Sequence, residues 1–471
     1  MTERARKLEK LKNAVIVVLF VTTILLLNLT WRSEGSGNFR LSSVLDFISP
    51  DVWVPDAAEF VAADYTVCGF GDATFSQDAD RAPADLENIL QAFRSEGGVA
   101  SFLVDEVTDQ QYREMITGFR SLKIVLSCPV PFAEFCEENR VERGATFDQV
   151  TTVEALIVSD AAPESIFVEG GGLCWRFIAD SGNDLAAAPL ATLERGEPVF
   201  YTAGSMLGNQ NTAILPLASS SDLAQADREK DAADDAEKAG REMAESVFGE
   251  NFDFVRRITD SFGNITYMYG YGEKTLTCLT EGTFEYKTGT VEGADPGFYS
   301  SLQAAVNFVA ARGGWGSDRH ALSYRLCGAK EEGSGRSKLY TFEFSQMLDG
   351  VPLLSEDGPA IIVKVAAGEV NYYRRAVVKA DAAHAETQPA AEVANVLAGN
   401  CHLIHSVLAG NVLAESSDEE FSYVAERFRR ASTAYIVSED ALTPAWVITM
   451  EGGTKFFFGL YDAVPLGFTR D

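Results

Sequence analysis

Histidine titrates near neutrality and ligates most transition metals, and this chain holds four histidines, at positions 320, 384, 402 and 405. Two of them stand together in Cys401-His402-Leu403-Ile404-His405. On a helix, positions three apart lie about one turn from each other, a separation that two ligands of one metal ion can span. A zinc-type centre needs at least a third ligand, either Cys401 or a carboxylate from a neighbouring element. Cys401 stands about 100° round such a helix from His402, on the side of Ile404 and Leu408. His402 and His405 are therefore the candidate metal ligands, and the plain alternative is a helix carrying two surface histidines. The expectation is no metal and no cofactor.

Other chemistries find little to work with. Gly69-Phe70-Gly71 lacks the third glycine and the following helix of a dinucleotide-binding turn, and no phosphate-loop lysine motif occurs. There is no G-x-S-x-G elbow, no H-E-x-x-H and no S-x-x-K. Acidic pairs are abundant, with 69 Asp and Glu in 471 residues, so an Asp near a Glu is uninformative here. A glycosidase needs two carboxylates held at a defined separation, which spacing in sequence does not reveal. Aromatic strand residues (Tyr340, Phe342, Phe344, Tyr372, Tyr373 and Phe456 to Phe458) suit either a core face or a peptide-binding groove.

The element that positions everything else is residues 13–31, nineteen consecutive uncharged residues rich in Leu, Ile, Val and Phe. As a helix they reach about 28 Å, close to the ~30 Å hydrocarbon core of a bilayer. Five basic against two acidic residues leave the first dozen at net +3, which keeps them cytoplasmic and sends the rest across the membrane. The end of the run, Leu27-Asn28-Leu29-Thr30-Trp31-Arg32, lacks the small-residue pattern of a signal-peptidase site. The expectation is an uncleaved single-pass anchor in the cell membrane and an extracytoplasmic body. The whole chain carries −30, so the body carries −33, which disfavours nucleic acid and other polyanions as partners. Seven cysteines at odd count and wide spacing, with no C-x-x-C, suit buried free thiols better than a disulfide framework.

The predicted fold class is α+β. After a cytoplasmic tail (1–12), the anchor (13–31) and a polar linker (32–38), residues 39–217 suit a mixed α/β domain of strands alternating with helices. One of its helices opens at Thr108-x-x-Gln111, a capping box. Residues 218–245, rich in Ala and charge, predict a solvated linker helix. Two smaller units follow, at 246–340 and 341–471, each an antiparallel sheet with one helix. The first helix carries Leu302, Ala305, Val306 and Val309 on one face. Phe456-Phe457-Phe458 places aromatics on both sides of its strand, which predicts cover on both.

Residues 298–378 resemble the YycH family of membrane-anchored regulators of a cell-wall two-component system. The likeness rests on Leu302 to Val309 with Gly313-Gly314-Trp315, on Tyr340 to Gln346 followed by Gly350-Val351-Pro352, and on Val363-Lys364-Val365, Gly368-Glu369-Val370 and Tyr372-Tyr373-Arg374-Arg375. The hairpin at 445–461 is a weaker echo, and the smaller YycI family is similar to the second half. The resemblance implies a non-enzymatic partner of the sensor histidine kinase WalK (YycG) of the WalK/WalR (YycG/YycF) system and of a YycI-like protein, with contact through the membrane helix and ectodomain. Thr22, Thr23 and Asn28 are then candidate interaction residues, since polar side chains within a membrane helix bond across helix pairs. Two alternatives from other classes stay open: a PepSY-like binding or protease-inhibitor module, and a surface-tethered glycan hydrolase using paired carboxylates.

Overall fold

The computed structural model describes residues 53–470 apart from short stretches at 96–101, 180–181, 192, 194–198, 208–210, 217–219, 224–225, 230–232, 290–292, 316–323, 356, 377, 381–383, 411–415 and 439–440. The anchor at 13–31, with Thr22, Thr23 and Asn28, and the linker lie outside the described residues. Among the described residues no helix is long and apolar enough to cross a membrane. Val54–Asp471 forms one compact unit, α+β in class.

Nine strands build the first sheet: β1 (Ala63–Phe70), β2 (Thr74–Asp78), β3 (Phe102–Glu106), β4 (Arg120–Pro131), β5 (Thr152–Ser159), β6 (Ser165–Gly170), β7 (Leu173–Ala179), β8 (Val199–Thr202) and β9 (Ile214–Pro216). Their order is β3-β7-β6-β5-β4-β1-β2-β8-β9. Six helices sit between them: α1 (Ala57–Phe60), α2 (Ala82–Ser95), α3 (Asp109–Gly118), α4 (Phe132–Glu138), α5 (Ala187–Leu190) and α6 (Ala203–Leu207). The sheet is antiparallel throughout rather than mixed. Among its described residues no two neighbouring strands run parallel, so no βαβ unit is present there. Helix α2 buries Ile89, Leu90 and Phe93, and Phe93 joins Phe132, Phe147 and Phe177 in an aromatic core. Helix α3 starts at the predicted capping box: Thr108 Oγ1 accepts from the Gln111 N–H, and Gln111 Oε1 accepts from the Thr108 N–H at 3.0 Å. Its Met115 and Ile116 pack on Ile157, Phe167 and Cys174, on the other face of the sheet.

The rest of the body comprises α7 (Ala233–Phe248), α8 (Phe298–Ala310), α9 (Val393–Gly399), α10 (Cys401–Ala409) and α11 (Ser417–Arg427), with seventeen further strands. Strands β10 (Ser220–Leu223) and β22 (His384–Pro389) pair with each other. The others form one fifteen-stranded sheet. They are β11 (Ala226–Glu229), β12 (Arg256–Thr259), β13 (Ile265–Tyr269), β14 (Lys274–Cys278), β15 (Phe284–Thr288), β16 (Tyr324–Glu332), β17 (Leu339–Leu348) and β18 (Val351–Leu354). Then come β19 (Ile361–Ala366), β20 (Glu369–Arg375), β21 (Lys379–Ala380), β23 (Phe428–Val437), β24 (Ala441–Met450), β25 (Lys455–Gly459) and β26 (Pro465–Thr469). Only β18 and β23 run parallel among the described pairs of this sheet.

Three expectations are corrected here. The boundary placed between 340 and 341 falls inside β17, which pairs with β16, β18 and β19, so one sheet runs through both predicted units. Residues 218–245 are not a solvated helix throughout: they contain β10 and β11, and only then α7. Within α7, Gly240, Met243, Ala244 and Phe248 form a narrow buried stripe, which the charged residues between them conceal in sequence. Gly240 lies against Cys278 of β14, where a Cβ would stand 3.2 Å from Sγ. The single helix expected of 341–471 is three: α9 and α10, which meet at Asn400, and α11 packed beside them.

Helix α8 holds the layers together. Leu302, Ala305, Val306 and Val309 are fully buried against β17, β19 and β20. At its N-terminus the Glu134 carboxylate of α4 accepts hydrogen bonds from the Phe298 and Tyr299 N–H groups. At its C-terminus the Arg375 guanidinium donates to the carbonyls of Gly314 and Gly313 at 3.0 and 3.2 Å. An anion at the start and a cation at the end both complement the helix macrodipole. Gly313 has φ +102, and a Cβ there would meet the Arg375 guanidinium carbon at 3.0 Å, so this turn requires glycine. Trp315 completes the turn, packed on Phe60 of α1, Phe344 and Tyr324. Of the segments that carry the YycH resemblance, Gly313 to Trp315, Phe344 and Arg375 meet at the C-terminal end of this helix.

Candidate functional site

Between the α3-bearing face of the first sheet and the start of β23 lies a cavity of about 280 Å³. Val67, Phe75 and Phe200 give it an apolar wall, and Lys123 of β4 stands beside Val67 on the same sheet face. Lys123 and Glu169 of β6 stand on the same face, separated by β5. Glu169 lies opposite Ala155, whose small side chain leaves room for the two to meet. Lys123 Nζ is 2.6 Å from Glu169 Oε2, and the Tyr112 hydroxyl of α3 lies 3.2 Å from each.

Burial opposes the charge on Lys123, but the Glu169 carboxylate and Tyr112 outweigh it and hold the ammonium well above its ordinary value of 10.5. Burial likewise raises the Tyr112 hydroxyl, which stays neutral. Both groups therefore hold their protons at neutral pH.

A second cavity of about 500 Å³ adjoins the first and shares Tyr112, Glu169, Thr212 and Arg429 with it; Glu106 and Asp109 line its mouth. The cations here are matched. Arg429 pairs with Glu451 at 2.6 Å, and Arg430 lies over the Tyr65 ring at 4.6 Å and 3.8 Å from Asp64, which also pairs with Arg325.

The linkage sign for Lys123 is fixed by its raised value. Its contribution to stability is fully present below the unfolded value near 10.5 and is lost as pH rises through the folded value. Tyr112, buried and neutral, acts in the same direction. Denaturant midpoints should therefore be flat from neutrality to about pH 9 and fall steeply at more alkaline pH. Lys123→Met should cost about 2 kcal/mol at neutral pH by leaving Glu169 without its cation, and should flatten the alkaline fall. An unchanged alkaline slope in the variant would show that this trio is not its source.

The structure separates the two candidate metal ligands. His402 is exposed, with Nδ1 2.9 Å from Glu420 Oε1 of α11. His405, three residues on, is buried with its ring 4.9 Å from that of Tyr423. Cys401 packs in the core cluster that holds Ile404, with Leu408 beside it, as the helical wheel predicts. Among the described residues no group of three His, Cys, Asp or Glu side chains is placed to hold a metal. Five of the seven cysteines are buried, and burial pushes the thiols of Cys128, Cys136, Cys174 and Cys278 up to about 12.

The Lys123 trio escaped the reading of motifs, although a trace of it is present. Leu122-Lys123-Ile124-Val125-Leu126 sets one cation inside an apolar strand, and Ile166-Phe167-Val168-Glu169 ends another such strand with an anion. A buried charge must find a counter-charge, but sequence does not show that β4 and β6 flank the same strand.

No family model matches the sequence, and no curated protein matches it. Among solved structures the chain is similar to YycH from Bacillus subtilis, at 12% identity over 88% of this chain and 98% of that one, with a TM-score of 0.49. It is also similar to an uncharacterized protein from Eubacterium rectale, at 9% identity over 54% of this chain and 87% of that one, with a TM-score of 0.33.

Proposed function

We propose that this chain is a membrane-anchored, extracytoplasmic regulator of a cell-wall two-component sensor histidine kinase. It acts by protein–protein contact through its transmembrane helix and ectodomain, with a YycI-like protein as companion and no catalysis of its own. The observation that carries this reading is the uncharged run at 13–31 behind a net +3 tail and ahead of a body of charge −33. The resemblance of 298–378 to YycH-type regulators supplies the partner, and Gly313, Gly314, Trp315 and Arg375 of that stretch meet at the end of α8. The half-buried Lys123 trio fits the same view, because its ionisable groups are tied up in one another.

The test is capture of the tagged full-length chain from detergent-solubilised membranes. A histidine kinase should copurify, and its autophosphorylation rate in vesicles should change several-fold when the chain is added. Replacing Thr22, Thr23 and Asn28 together with Leu should weaken the association by about twentyfold, at roughly 0.6 kcal/mol for each bond across the helix pair. A protease in place of the kinase would favour the PepSY-like alternative. An unaffected kinase rate would overturn the proposal.

A further inference from the structure

Strand β12 ends the fifteen-stranded sheet. Its inner edge pairs with β13, and its outer edge pairs with no strand among the described residues. All four of its residues are exposed. An open edge of this kind is a template for another strand, and proteins usually guard it with proline, a bulge or a covering segment. Here the edge carries large apolar side chains instead: Ile258 is 42% exposed, and Phe254 and Phe262, just beyond either end, are 78% and 82% exposed.

The order of these residues is informative. Alternate positions along the segment read Phe254, Arg256, Ile258, Asp260 and Phe262. Read outward from Ile258 in either direction, the pattern is a charge and then a phenylalanine, with the sign of the charge inverted. Residues two apart in a strand share a face, so Arg256 and Ile258 present together, Asp260 continues them as the last paired residue before the hairpin turn, and Phe254 and Phe262 flank them from the preceding 3-10 helix and from that turn. An antiparallel pair of identical strands with its two-fold at Ile258 sets Ile258 against itself and Arg256 against Asp260 at both ends. A two-fold one residue earlier would place Arg257 against Arg257, and one residue later would set Asp260 against Ile258. The charges therefore select one register.

From this self-complementary edge we infer that two copies of the chain associate through β12, antiparallel about Ile258, so that the sheet continues from one copy into the next. The residues concerned are available for it. Arg256 has no ion-pair partner among the described residues. Asp260 accepts from the Asn264 side chain at 2.8 Å and from the Phe262 and Asn264 N–H groups, which fixes its orientation and favours its ionised form. Arg257 points to the opposite face, where it pairs with Glu237 of α7 at 2.6 Å and leaves the interface to Arg256. Ile258 stands opposite Thr266 of β13, so the shared face continues inward without a charge at that position.

The inference is tested by disulfide trapping in the full-length chain in its membranes. Identical residues meet only on the two-fold, so Ile258→Cys should form a covalent dimer under mild oxidation, at least tenfold above the wild-type background from the native cysteines. Thr259→Cys, displaced from the axis, should stay near background. Arg256→Glu, added to Ile258→Cys, should cut the yield about tenfold by opposing two acids at each end. Thermal melting of each variant should match wild type, because every substituted residue is exposed. Background-level trapping at Ile258→Cys in a normally folded protein would overturn the inference, as would equal trapping at Thr259→Cys.

Discussion

Trp315→Ala should lower the stability of the folded body by about 4 kcal/mol, the range for deleting a large buried aromatic. Trp315 is 1% exposed, and its ring lies 4.5 Å from Phe60, 4.8 Å from Phe344 and 6.0 Å from Tyr324 by centroids. Its Nε1–H donates to the Val306 carbonyl at 3.1 Å. Loss of the ring therefore opens a cavity between α1, α8, β16 and β17 and leaves a buried carbonyl short of a donor. Trp315→Phe, which keeps most of the ring and loses the donor, should cost roughly half as much. Denaturant unfolding followed by circular dichroism measures both. A loss below about 1 kcal/mol for Trp315→Ala would mean that the turn repacks freely and is no anchor.

Arg375→Met is the second large effect, at about 3 kcal/mol. The guanidinium is buried with no carboxylate partner among the described residues. Its charge is met by the Gly313 and Gly314 carbonyls at the end of α8 and by the Tyr324 hydroxyl, 3.3 Å away, whose ring it also faces. Methionine fills much of the volume but supplies no donor, so two carbonyls at a helix end lose their partners. Lysine should recover part of the loss, since one ammonium cannot span the three acceptors that the planar fork reaches. Amide exchange at the last turn of α8 should quicken more in Arg375→Met than elsewhere in the sheet. Because Trp315 and Arg375 grip the same turn, the double variant should lose less than the two single losses added together.

Local chemistry was legible in the sequence where a residue's role is set by its neighbours along the chain. The capping box at Thr108 and the buried stripe of α8 appear where spacing places them. So does the two-sided cover of Phe456 to Phe458, with Phe456 and Phe458 in one cluster and Phe457 in another. What escaped depends on pairing at long range. β15 joins β20 across a long separation in sequence and makes one sheet of two predicted units, while β24 takes in β11 from the predicted linker. The spacing of His402 and His405 was correct for one helix face. Packing of α10 against α11, itself not foreseen, turned one ring to solvent and buried the other. The Lys123 trio is of the same kind, since β4, β6 and α3 meet only when the first sheet is assembled.

The membrane tether is tested most directly by the N-terminal sequence of the mature protein, taken together with the fraction in which the body is found. The account predicts a body held in the membrane fraction on a chain that still contains residues 13–31. A mature chain beginning downstream of Trp31, with its body shed into the medium, would contradict it.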